Sequence, residues 1–105
     1  MKNIGLSETE LEGMRGVFRA FPEIREVVLF GSRAKGTHRP QSDVDLALMG
    51  GIDGLQAEAI AEELEELPMP YQFDVKALDA IRYPPLREHI ARVGVTIYRR
   101  EGSGE

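Results

Sequence analysis

Asp43 and Asp45 stand one residue apart in a segment that alternates like a β-strand. Side chains two apart on a strand leave the same face, so their carboxylates crowd each other while Val44 and Leu46 turn into a core. Crowded carboxylates repel unless a cation lies between them. A hard divalent ion such as Mg²⁺ takes oxygen ligands and keeps substrate phosphates and waters in its remaining positions, which suits paired aspartates on a rigid strand. Asp74 is the lone acid on the polar face of a second alternating segment, where Gln72, Asp74 and Lys76 face one way. If the two strands are neighbours, three carboxylates meet. Such a trio can hold two ions that clamp the attacking and leaving oxygens of a phosphoryl displacement. An ion pair with Lys76 would account for Asp74 without any metal.

Gly31 and Ser32 supply the complementary chemistry. Gly31 removes the side chain where backbone must approach a ligand closely. Ser32 is placed to cap a short helix over Arg33–Lys35, with its hydroxyl and the following N–H groups available to an anion. Arg33, Lys35 and Arg39 add positive charge to the same loop. A plain glycine turn would explain Gly31 and Ser32 taken alone. His38, in that loop, reads as a solvated residue. His89 has no metal-ligand partner at helical spacing and reads as structural.

The surrounding pattern predicts the elements that position these residues. A helix is expected over 7–21, with Ser7 and Glu10 as a capping box and Leu11, Met14, Phe18 and Phe21 on one side. Residues 26–30 (EVVLF) form an apolar run expected of a strand covered on both faces. A strand over 43–49 follows. A helix over 54–67 is expected to turn Leu55, Ile60, Leu64 and Leu67 inward. Residues 71–78 alternate as a strand. Pro84 and Pro85 open a helix through Leu86, Ile90 and Val93, with Gly94 at its C-cap. Residues 95–100 close as a strand whose arginines mark an edge. The order is α-β-β-α-β-α-β: a small mixed sheet with helices packed on it. The helix over 54–67 predicts that the strands it joins run parallel with a right-handed crossover.

Composition narrows the function. At 105 residues a single domain, 1–105, is expected, with a frayed tail at 101–105. Cysteine is absent, which excludes disulfides and cysteine zinc sites and points to a reducing cytoplasm. Neither a membrane-spanning run nor a signal-peptide pattern is present. The net charge of −5 disfavours direct binding of nucleic acid. Much of that charge lies on Glu58, Glu62, Glu63, Glu65 and Glu66, read as a solvated helix face.

Together, GSRAKGTHRPQSDVDLAL, the later Asp74 and the closing REHIARVGVTIY resemble the DNA polymerase β-like nucleotidyltransferases, whose pattern is Gly-Ser, ten residues, Asp-x-Asp. More narrowly the chain is similar to the minimal nucleotidyltransferases, the MNT or MntA-type antitoxin group. The resemblance covers about residues 24–98 and implies the polymerase β-like fold. It implies that Asp43, Asp45 and Asp74 hold two Mg²⁺ ions, with Asp74 also helping to deprotonate an acceptor hydroxyl. Gly31 and Ser32 would hold the terminal phosphates of a nucleoside triphosphate, ATP being the expected one, assisted by Arg33, Lys35 or Arg39. The chain has no residues left for an acceptor-binding domain. The resemblance therefore implies a hetero-oligomer in which a helical HEPN-type toxin presents a tyrosine for AMP transfer. The alternative is a binding module that neutralises its partner by contact alone, with no catalysis.

Overall fold

The computed structural model describes residues 4–100. Helix α1 (Glu8–Arg19) starts at the expected capping box: the Ser7 hydroxyl accepts the Glu10 N–H, and the Ser7 N–H donates to the Glu10 carboxylate, both at 3.0 Å. Four strands follow along the chain: β1 (Ile24–Phe30), β2 (Val44–Gly50), β3 (Phe73–Ala77) and β4 (Val95–Arg99). They form one sheet in the order β3-β2-β1-β4. β1 is antiparallel to both β2 and β4. β2 and β3 are parallel, and helix α3 (Gly54–Glu65) is the long crossover that joins them. Helix α2 (Gly31–Lys35) fills the turn between β1 and β2, and helix α4 (Pro84–Val93) leads into β4.

The sheet is covered unequally. One face carries Val27, Leu29, Val44, Leu46 and Leu48 against Met14 and Phe18 of α1 and Ala57, Ile60 and Leu64 of α3, all buried. The other face has a smaller core of Val28, Phe30, Ala47 and Ile81 closed by Ile90 of α4. β1 lies between β2 and β4 with apolar residues on both faces, which explains its nearly unbroken hydrophobic run. Because strand side chains alternate, burying Val44, Leu46 and Phe73 in the larger core sends Asp45 and Asp74 to the opposite, thinly covered face.

Several expectations are corrected. Leu55 does not face inward; it is 78% exposed. The buried face of α3 is Ala57, Ile60 and Leu64, and Leu55 lies two residues before Ala57, on the far side of the helix. Asp43 precedes β2 rather than lying within it, and β3 is shorter than 71–78, with a 3₁₀ turn over Leu78–Ala80. Gly94 does occupy the C-cap of α4, but in extended rather than left-handed backbone. A β-carbon there would overlap the Ile90 carbonyl and the Val28 side chain, so close packing is what calls for glycine. β4 is an edge strand, as its arginines suggested. The expected frayed tail, 101–105, lies outside the described residues. Among those described, no helix is long and apolar enough to cross a membrane.

Candidate active site

The parallel register of β2 on β3 sets Asp45 directly beside Asp74. Both project from the face that carries the smaller core. Asp74 is about half exposed, and its carboxylate meets Lys76 Nζ at 3.3 Å. The ion pair that would explain Asp74 without a metal is therefore present. Asp45 is the more perturbed group. Its carboxyl is pushed up to about 6, first because the site withholds water, then because the charges of Asp74 and Asp43 oppose ionisation; Lys76 and Arg33 pull weakly the other way.

The turn after β1 closes over this carboxylate. Gly31 has φ +78, and a β-carbon on it would overlap the Asp45 carboxylate. Glycine is thus required twice, by the backbone conformation and by the close approach of an acid. Ser32 does not cap α2 as expected: the helix already begins at Gly31, with Phe30 at the N-cap and no side-chain cap. The Ser32 hydroxyl sits in the first turn and forms no side-chain hydrogen bond among the described residues. Lys35 and Arg39 are exposed and make no ion pair there, so both are free to meet an anion.

Arg33 departs furthest from expectation. It is 1% exposed and is the one buried charged side chain among the described residues. Its guanidinium donates to the carbonyls of Ile4, Gly5, Pro40 and Ser42 at 3.0–3.3 Å. It also lies 4.6 Å from the centre of the Tyr71 ring. Tyr71 in turn donates its hydroxyl to Glu10 at 3.1 Å. Arg33 therefore ties the loop ahead of β2 to the N-terminal segment, and its donors are committed to backbone carbonyls. A planar fork of five donors explains why arginine fills this position. His38 is half-buried rather than solvated, with Nδ1 shielded from water and lacking a partner among the described residues.

His89 was missed. Its Nε2 accepts the Gly31 N–H at 3.3 Å, and its ring stands edge-on to Phe30. A signal existed: His89 lies three residues after Leu86 and one before Ile90, on the stripe of α4 that faces the sheet.

The donor set fits a hard divalent cation. Asp45 and Asp74 offer carboxylate oxygens in register, the charge at Asp45 is incompletely balanced, and Asp43 adds a third acid from the preceding loop. It is an open pair rather than a finished cage: among the described residues no group of three such side chains is already arranged to hold an ion.

Residues 12–103 match the family model for polymerase beta nucleotidyltransferases, and the chain belongs to that family. No curated protein sequence matches the chain. Among solved structures, the fold is similar to a chain of a toxin–antitoxin with AMP-PNP, at TM-score 0.72 and 20% identity, covering 87% of this chain and 74% of that one. It is similar to a chain of the MntA–HepT toxin–antitoxin, at TM-score 0.67 and 16% identity, covering 90% and 74%. It also matches a chain of the tri-AMPylated Shewanella oneidensis HEPN toxin in complex with MNT antitoxin, at TM-score 0.67 and 16% identity, covering 90% and 73%. At these identities the likeness is one of fold.

Proposed function

We propose that residues 1–105 form a single-domain, Mg²⁺-dependent nucleotidyltransferase that moves a nucleoside monophosphate, AMP from ATP, onto a hydroxyl of a protein partner. The partner we favour is a HEPN-type toxin, modified on a tyrosine, with this chain acting as its antitoxin in the cytoplasm. The observation that carries the reading is the in-register pair Asp45 and Asp74 closed over by a glycine with no room for a side chain.

A divalent cation held by Asp45 and Asp74, with Asp43 beside them, would neutralise the oxygens of the triphosphate. Ser32 offers a free hydroxyl to the terminal phosphates, and Lys35 and Arg39 offer exposed positive charge. Asp74, half exposed at the edge strand, is open to an incoming acceptor. In the transfer, the acceptor oxygen bonds to the α-phosphorus, the bond to pyrophosphate breaks, and the hydroxyl proton passes to the Asp74 carboxylate. Positioning and charge neutralisation account for most of the rate in such a displacement.

The ion pair between Asp74 and Lys76 favours a second reading, a module that neutralises its partner by contact alone. Asp74→Asn separates the two. In the enzyme it preserves the fold and most triphosphate binding but abolishes transfer. The measurement is mass spectrometry of a co-expressed HEPN-type partner, seeking the added mass of a nucleoside monophosphate. A partner left unmodified yet neutralised by both wild type and Asp74→Asn would decide for the binding module.

A further inference from the structure

Phe30, at the N-cap of α2, has no side-chain oxygen with which to hold the start of that helix. The Gly31 N–H instead finds its acceptor on another element, the His89 Nε2 of α4 at 3.3 Å. The imidazole is itself fixed: it stands edge-on to Phe30 at 6.2 Å between ring centres and 82° between planes, and its neighbour Ile90 is buried under the sheet. The Asp45 carboxylate lies where a β-carbon of Gly31 would stand. The turn thus meets both an acid and an imidazole.

Glycine at φ +78 gains nothing from local sterics, because it visits many other backbone conformations as readily. Something outside the turn must select this one. Crowding by Asp45 limits how close Gly31 can come, but does not attract it. The hydrogen bond to His89 does attract it, and it removes the cost of a part-buried N–H left without a partner.

We infer that His89 is a positioning residue for the phosphate-binding turn, holding the Gly31 amide so that Ser32 faces the terminal phosphates of a nucleoside triphosphate. The inference rests on the nucleotidyl-transfer reading above. It also divides the labour within the turn. The Gly31 N–H is already engaged, so Gly31 serves by lacking a side chain, and the Ser32 hydroxyl meets the phosphate. Accepting this hydrogen bond requires Nε2 to carry no proton.

His89→Phe keeps a ring against Phe30 and removes the acceptor, whereas His89→Gln keeps an acceptor and removes the ring. His89→Leu is a second removal, guarding against a poor fit of the larger phenyl. Two readouts are needed. In the ligand-free protein, NMR should show the Gly31 amide proton moving upfield and exchanging faster in His89→Phe and His89→Leu, with His89→Gln restoring wild-type behaviour. Calorimetry with AMP-PNP and Mg²⁺ should show affinity falling about three- to tenfold in the same two variants, as expected for one hydrogen bond, and recovering in His89→Gln. A Gly31 amide indifferent to His89→Phe and His89→Leu, or an unchanged AMP-PNP affinity, would overturn the inference. A wild type that binds no triphosphate overturns the nucleotidyl-transfer reading instead; it is recognised because the Gly31 amide still responds to the substitutions.

Discussion

Replacing Asp45 with Asn should make the metal-free protein more stable at neutral pH. The folded state raises the Asp45 carboxyl from 3.8 to about 6, mainly by desolvation and then by the charges of Asp74 and Asp43. A raised acid binds its proton more tightly in the folded state than in the unfolded chain. Its contribution to stability is therefore complete below about pH 4 and is lost as pH rises through 6. Each tenfold tightening of proton binding is worth about 1.4 kcal/mol, so the whole rise would amount to about 3 kcal/mol. Asp45 is only half-buried, and screening by water reduces the expected effect to about 1 kcal/mol. Asp45 makes no hydrogen bond or ion pair among the described residues, and the pull of Lys76 and Arg33 is smaller than the opposing effects, so a neutral isostere removes more repulsion than attraction. For a domain of this size, about 1 kcal/mol raises Tm by about 4–8 °C. The assay is thermal melting of wild type and Asp45→Asn from pH 4 to 8 in a chelator. The gap should be near zero at pH 4, open through pH 6 and level off above pH 7. Added Mg²⁺ should then raise the Tm of wild type and leave Asp45→Asn unmoved. An Asn variant that melts at or below wild type at pH 7.5, or a gap independent of pH, would refute the electrostatic argument.

Arg33→Lys should destabilise the fold by about 3 kcal/mol, because one ammonium cannot satisfy four part-buried carbonyls, and urea denaturation measures the loss. If Arg33 served phosphate instead, stability would hold and nucleotide affinity alone would fall. Ser32→Ala should weaken triphosphate binding by about 1.5–3 kcal/mol, the worth of a hydrogen bond to a charged group, seen as a raised KM with the melting temperature unchanged. Unaltered KM and kcat would return Ser32 to a plain turn.

The sequence alone determined the parts whose causes are local. Capping residues and prolines marked the helices, and alternation marked which side of each strand is apolar. The span of α3 left room for the long crossover that a parallel β2–β3 pair needs. Gly31, Ser32, Asp43, Asp45 and Asp74 stood out because like charges and a glycine turn have few reasons to recur at that spacing. Tertiary structure decided what depends on register and packing. A slip of one residue between β2 and β3 would have set Val75 opposite Asp45 and moved Asp74 to the other face, and no local signal forbids it. Arg33 looked like a phosphate ligand because its type and place in the loop fit one. Only the folding of residues 4–5 and 40–42 around it supplied the carbonyls that bury it. Leu55 fitted an apolar stripe within the error of a helix's first turn, and the contact of α3 with the sheet chose Ala57 instead. His89 lies 58 residues from Gly31 along the chain, so their hydrogen bond exists only once α4 has packed across the sheet. Residue type announces what a side chain can do; which partner it meets is fixed by elements distant in sequence, whose positions follow from burying the whole core at once.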